Sequence, residues 1–392
     1  MTSSHDSAIA AKLSKLRGQG LYRSPPLIQQ RAGARILIND RQLLNFCSND
    51  YLGLAQHPRV IQAMSKAAEK YGVGSSASPL ICGRTTVHQK LETRISECLG
   101  RDRALLFSCG YMANLALVSV MAQKRRFEII LDRLCHASII DGVLATGTRF
   151  HRYPHLDLES LQSRLRLAPD ISKLVLTESV FSMDGDIAPL DNIAKMCGEN
   201  DARLVVDDAH GLGVLGKTGL GAMEHFNLDQ EAVPLVMGTF GKSLGGQGAF
   251  VAGKEADIEY LIQHARPYIY STSLPVPVVA AVLEALRILT EQPQVLAQLH
   301  ELIDYFQLRA AQLGFRIGTN TAIQPLIIGP AQKTMEVCKE LEKRGLFVMG
   351  IRPPTVERGK SRLRITLSAS HNKEDLDHLL NSLQECRKVV GF

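Results

Sequence analysis

The chain has 392 residues, 45% hydrophobic and 21% charged, with no tryptophan and a formal net charge of +6. That length suits one large domain plus a smaller one and can bury a core without staples. The mild positive balance, without a dense Lys/Arg run, argues against nucleic acid as a partner, and no apolar stretch is long enough to span a bilayer. Eight scattered cysteines (Cys47, Cys82, Cys98, Cys109, Cys135, Cys197, Cys338 and Cys386) form no C-x-x-C pair. They read as reduced thiols of a cytoplasmic protein, with no metal site and no disulfide framework expected.

The first twenty residues lack an apolar signal core and are expected to form a short amphipathic helix. Pro58 opens the next helix, with Val60, Met64 and Ala68 at its apolar positions and Gly72 beyond its end. Another starts at Thr85, carries Val87, Leu91 and Ile95 on one face, and stops at Gly100. Compact apolar runs follow at 104–108, 128–131, 173–177, 203–207, 234–238 and 248–253, with helices between several of them. Asp157 is placed to cap the helix that begins at Leu158. Such strands alternating with helices predict an α/β domain around a largely parallel sheet covered on both faces. After residue 275 come two long helical patterns, at 276–290 and 293–313. Strand-like FRIG, IQPLIIG and RLRITLS then alternate with helices near 333–344 and 373–388. The expected division is a helical N-terminal segment (1–46), a large domain (47–280) and a smaller C-terminal α+β domain (281–392).

Residues 211–218, GLGVLGKT, match both a dinucleotide-binding and a nucleotide-phosphate glycine pattern. Either loop must run straight into a helix whose N-terminus faces the phosphates. Here the continuation is Gly219-Leu220-Gly221, a poor helix start, so the match is set aside.

Four other features fall at the C-terminal ends of expected strands, where open α/β sheets bind ligands. FSCGYMANLALVSV (107–120) sets a Gly-aromatic turn at a helix start, a possible phosphate seat. LTESVFSMDGDIAPL (176–190) offers the Ser182 hydroxyl, though such a stretch taken alone is most often a plain loop. RLVVDDAHGLG (203–213) ends a strand in two acids and a histidine, which could bind metal, cap a helix or pair with a protonated pyridine. VMGTFGKSLGGQGAF (236–250) places Lys242 among glycines between two strands, a setting that suits an imine-forming amine. A lone loop lysine is usually solvated. The ordered company of a phosphate seat, acid and histidine argues otherwise.

With these segments side by side, the chain resembles the α-oxoamine synthases, pyridoxal-phosphate (PLP) enzymes of fold type I. The motifs that carry the resemblance are SNDYLGL (48–54), DRLCHAS (132–138), TESVFSMDGD (177–186), VDDAHG (206–211), TFGKSLG (239–245) and YSTSLP (270–275), all in family order. The resemblance implies a large domain with a mostly parallel seven-stranded sheet. Lys242 would hold PLP as a Schiff base, Asp207 would pair with the pyridinium nitrogen, and His136 would stack on the ring. His210 and Ser182 would bond near the ring oxygen, with Gly110, Tyr111 and Thr239 around the cofactor and its phosphate. Thr272 would reach in from a second subunit of a homodimer. Asn49, His136 and Thr355 would contact substrate, and Arg364 would take an amino-acid carboxylate by a forked pair of bonds. An N-terminal substrate arginine is expected at Arg23, with Arg17 the alternative. TFGK and the segments AIQPLIIG and GIRPPTVERGKSRLRITLSASH point within the family to the member that condenses L-alanine with a pimeloyl thioester, carried on coenzyme A or a carrier protein. A sister enzyme using glycine is the alternative. GVGSSASPLICG (72–83) departs from the family's glycine-glycine-serine-arginine wording.

Overall fold

The computed structural model describes residues 4–122, 127–168 and 170–392. The chain divides into two compact units. One comprises Asn49–Ser182 and Asp186–Gln298, and the other Met1–Ser48, Met183–Gly185 and Leu299–Phe392.

The N-terminal segment is helical only over Ser4–Gly18, and its side chains from Asp6 onward are exposed, so no apolar face of this helix is covered. The strands β1 (Gln30–Ala32), β2 (Arg35–Ile38) and β3 (Arg41–Asn45) follow. Buried Ile36, Ile38 and Leu43 make a small core of their own, and such strands were not anticipated in a segment expected to be helical.

Asn49–Ser182 with Asp186–Gln298 is built on a seven-stranded sheet of β4 (Arg103–Phe107), β5 (Phe127–Asp132), β6 (Phe150–Tyr153), β7 (Ser172–Glu178), β8 (Ala202–Asp207), β9 (Leu235–Thr239) and β10 (Ala249–Gly253). Its strand order is β4-β10-β9-β8-β7-β5-β6. Only β10 runs antiparallel to its neighbours. All six apolar runs are strands, their ends within a residue or two of expectation. β6, reading FHRY, was missed because an edge strand needs only one buried face. Helices Gly110–Met121 and Ala137–Thr146 pack their apolar faces on this sheet: Leu117 and Val143 join Ile129, Leu131, Leu174 and Val205 in one buried cluster. Each such side chain contributes about 1.5–3 kcal/mol on burial.

Four adjacent parallel strands end in polar residues on one rim: Asp132 (β5), Glu178 (β7), Asp207 (β8) and Thr239 (β9).

The other unit adds β11 (Ile323–Gly329), β12 (Leu346–Phe347), β13 (Gly350–Ile351) and β14 (Ser361–Thr366). β12 joins the N-terminal strands as β1-β2-β3-β12, and the rest form β11-β14-β13. FRIG (315–318) is not a strand. Phe315 and Ile317 are buried alternately as expected, but no strand pairs with them. Arg387 of the final helix instead covers the Phe315 ring at 3.8 Å and donates to Gly314 O.

Candidate active site

The rim begins with Asp207. Its Oδ1 accepts the Ala209 N–H (3.0 Å) and its Oδ2 the Asn114 side-chain amide (2.7 Å), which fixes the carboxylate plane. Asn114 Nδ2 also donates to Ser138 Oγ (2.9 Å), which lies 2.8 Å from His136 Nδ1. The Ser138 N–H donates to that same nitrogen at 3.2 Å, so a neutral His136 carries its proton on Nε2. Desolvation lowers the His136 pKa, the nearby Asp207 charge opposes this, and the Lys242 charge reinforces it. The ring is therefore neutral at neutral pH.

Glu178 lies buried beside Asp207. It accepts the His136 N–H at 2.5 Å and the Ser182 N–H, tying two segments of the rim together. Burial, then the Asp207 charge, holds its pKa well above the ordinary range, against the Lys242 charge and the two amides. Asp208 points the other way, accepting from Ser179 Oγ (2.5 Å) and Ala222 N (2.9 Å). Burial pushes its pKa up to about 7.

Lys242, half-buried, sits in the β9–β10 loop. Thr239 shapes that loop by donating from Oγ1 to Gly248 O (2.9 Å) and accepting from Gly241 N (3.3 Å). Gly245 has φ +62°, and a Cβ there would lie 2.2 Å from Ala55 N, so only glycine lets the loop close down. Ser243 donates to Leu212 O at 2.6 Å, and a Cβ on Gly213 (φ +75°) would lie 2.3 Å from Ser243 Cβ. These contacts account for Gly213 of GLGVLGKT, which lets its loop pack against the lysine loop. Its amides are already used, with Gly213 N bonded to Gly219 O and Thr218 N to the Glu224 carboxylate. No helix follows directly, and the loop is not a nucleotide site.

Helix Gly110–Met121 begins at Cys109, which supplies no side-chain cap, so its first-turn amides keep the donors an anion can use. A Cβ on Gly110 would come 3.8 Å from Thr239 Cβ, which brings this helix start beside the Lys242 loop. Tyr111 donates its hydroxyl to Asp141. His210 is buried, with Nδ1 2.6 Å from the Tyr51 hydroxyl, itself 3.4 Å from Asn49 Oδ1. Thr272 meets none of these groups among the described contacts. It lines a cavity of about 20 Å³ with Arg84, His88, Glu92 and Tyr268.

In the second unit, Arg23 donates to Thr355 Oγ1 at 3.3 Å, whereas Arg17 stacks over Tyr22 at 4.3 Å. Arg352 donates to the carbonyls of Gly20 and Tyr22 and so holds the Arg23 segment. Arg364, on β14, is buried and donates to Thr366 Oγ1 at 3.1 Å.

Sequence reasoning missed Glu178, Asn114 and Tyr51. All three lie inside quoted segments: Glu178 in TESVFSMDGD, Tyr51 in SNDYLGL and Asn114 in FSCGYMANLALVSV. Asn114 sits in a helix whose apolar run drew attention to packing alone.

The residues present fit PLP. An oriented carboxylate suits a protonated ring nitrogen, a neutral imidazole a ring face, an uncapped helix start a phosphate, and a loop amine an aldehyde carbon. The model of the family "Aminotransferase class I and II" matches residues 41–383. The chain belongs to this family, and its cofactor is pyridoxal 5′-phosphate. Among similar proteins, the 8-amino-7-oxononanoate synthase of Cellvibrio japonicus is 47% identical over 386 residues, 98% of this chain and 97% of its own. That of Methylococcus capsulatus is 47% identical over 96% of this chain and 97% of its own. A serine palmitoyltransferase variant from S. paucimobilis, solved with a bound PLP–myriocin adduct, superposes with a TM-score of 0.92. It is 31% identical, with 99% of this chain and 98% of that one covered.

Proposed function

We propose that the chain is the acyltransferase of biotin biosynthesis that joins L-alanine to a pimeloyl thioester, with loss of CO₂, to give 8-amino-7-oxononanoate. The observation that carries this is 47% identity, over nearly the whole length, to synthases of that name. In support, the rim of the seven-stranded sheet carries Asp207 and Thr239, and Lys242 lies in the loop after β9. The bound cofactor supplies an electron sink for the charge left when alanine Cα loses a proton.

The chain's own groups divide the remaining work. Lys242 would anchor the cofactor through Nζ and, as a free amine, would take the alanine Cα proton on that atom. Asp207, aligned by Asn114 and Ala209 N, keeps the ring nitrogen protonated. His136 presents its neutral ring as a stacking face. His210, its Nδ1 fixed 2.6 Å from the Tyr51 hydroxyl, bonds near the ring oxygen, a role that Ser182 shares. Gly110, Tyr111 and Thr239 border the phosphate. Asn49, Thr355 and Arg23 serve the substrates, and Arg364 takes the alanine carboxylate.

The working form is a homodimer in which Thr272 serves the neighbouring subunit's site. Its exposure, beside Tyr270 at 71% exposed, is consistent with that role. Eight unpaired thiols suit the cytoplasm. Among the described residues, no helix is long and apolar enough to cross a membrane.

The test is mass spectrometry of products from L-alanine with pimeloyl-CoA and with pimeloyl carrier protein. Formation of 8-amino-7-oxononanoate is the expected result. No product from either pair, but turnover of glycine with a short acyl thioester, moves the assignment to the glycine-using 2-amino-3-ketobutyrate ligase.

A further inference from the structure

One charged cluster on the rim is not used by the roles above. His155 follows β6, with Nδ1 3.0 and 3.1 Å from the two Asp132 oxygens and Nε2 2.7 Å from Asp186 Oδ2. Both ring nitrogens face carboxylates, so both donate and the ring is an imidazolium. Burial works to lower its pKa, but the hydrogen bonds to Asp132 and Asp186 outweigh it and raise the value to about 10.

The Asp132 carboxylate and the Asp186 main chain each also shape a segment of the site. Asp132, 0% exposed, accepts the N–H of Leu134 (2.7 Å) and of Leu156 (2.9 Å), and Leu134 lies in the turn that delivers His136. Asp186 closes the loop that carries Ser182. Phe181 N donates to Asp186 O at 3.1 Å, and Val180 bridges Ile187 across the loop. The Phe181 ring packs edge-on to His155, with centroids 4.4 Å apart. Glu178 joins the same two segments through the amides of His136 and Ser182.

We propose that His155 is a positioning residue: held as a cation between Asp132 and Asp186, it sets the spacing between the His136 turn and the Ser182 loop. This rests on the cofactor roles given to His136 and Ser182. An ordinary exposed ion pair contributes little and positions nothing. His155, at 18% side-chain exposure against the fully buried Asp132, is different, because removing it strands a carboxylate that water cannot reach.

The test uses holoenzyme of H155Q, D186N and the H155Q/D186N double variant. Three readouts apply: PLP affinity by equilibrium dialysis, visible circular dichroism of the bound cofactor, and kcat and KM with L-alanine and pimeloyl-CoA. H155Q is expected to weaken PLP about tenfold and diminish the dichroic band. It should lower kcat about 10²-fold while leaving KM for pimeloyl-CoA within about twofold. D186N has the same effects at about a third of the size, and the double variant, with one carboxylate fewer, recovers PLP affinity to within about threefold of wild type.

If H155Q melts earlier but keeps wild-type PLP affinity and dichroism, the proposal is wrong and His155 is structural only. A double variant no better than H155Q overturns it too. Should H155Q not fold, comparison of D186N with wild type decides on the same spectroscopic readouts. Wild-type protein that fails to turn over alanine and pimeloyl-CoA overturns the substrate assignment alone, since the cofactor readouts need no substrate.

Discussion

At the scale of single residues, the site's chemistry concentrates on atoms whose partners come from distant parts of the chain. Lys242→Ala removes the only amine assigned to anchor the cofactor. Borohydride-treated variant protein should then show no cofactor-sized mass increase, and product formation should vanish. Tyr51→Phe keeps the ring in its buried place but removes the bond to His210 Nδ1, a loss of about 1–3 kcal/mol for a buried polar group. The expected outcome is about a tenfold fall in kcat/KM together with a Tm a few degrees lower, measured by steady-state kinetics and thermal melts. Lys242, Asp207, His136 and His210 could be proposed from the sequence because each stands at or just after a strand end in a motif of fixed order. Tyr51, Asn114, Glu178 and His155 could not. Asn114 acts through Asp207, 93 residues away, and His155 through Asp132 and Asp186. No local pattern records such pairings.

At the scale of elements, the loops are held as tightly as the strands. Gly245→Ala forces a left-handed backbone and drives a Cβ into Ala55. It should cost about 1–3 kcal/mol, lower Tm by about 3 °C or more, and reduce PLP retention, all readable by calorimetry and absorbance. Legibility at this scale followed burial. Runs buried on both faces, such as RLVVD and KLVLT, announced themselves as strands. FHRY did not, because half-buried His151 and exposed Arg152 break the apolar run. FRIG misled in the opposite sense: its alternation reports burial of Ile317 and of Phe315, the latter under Arg387 of the final helix, and alternation alone cannot tell that from pairing.

At the scale of the whole molecule, stability should depend on pH through His155. Its folded pKa of about 10 lies above its ordinary value of 6.5, so the native state holds a proton that the unfolded chain releases. The stability it contributes is fully present below about pH 6.5 and is lost as pH rises through about 10. Urea unfolding at stepped pH should show wild type losing more stability across that window than H155Q. The chain passes between the two units at Ser48–Asn49, at both ends of Met183–Gly185, and at Gln298–Leu299. The expected cut into three successive blocks has no counterpart in such a path.

That path sets an order of events on the ribosome. β3 pairs in parallel with β12, Leu44 against Leu346, so the first strands synthesised lack their final neighbour until roughly 300 more residues have emerged. At about 5–20 residues per second, this leaves the open edge of β3 waiting some 15–60 s. Meanwhile residues 49–298, with the seven-stranded sheet, have left the ribosome and can fold. The nascent protein thus carries an unpaired β edge while those residues are made, and a translation pause between the codons of β3 and β12 would lengthen that exposure.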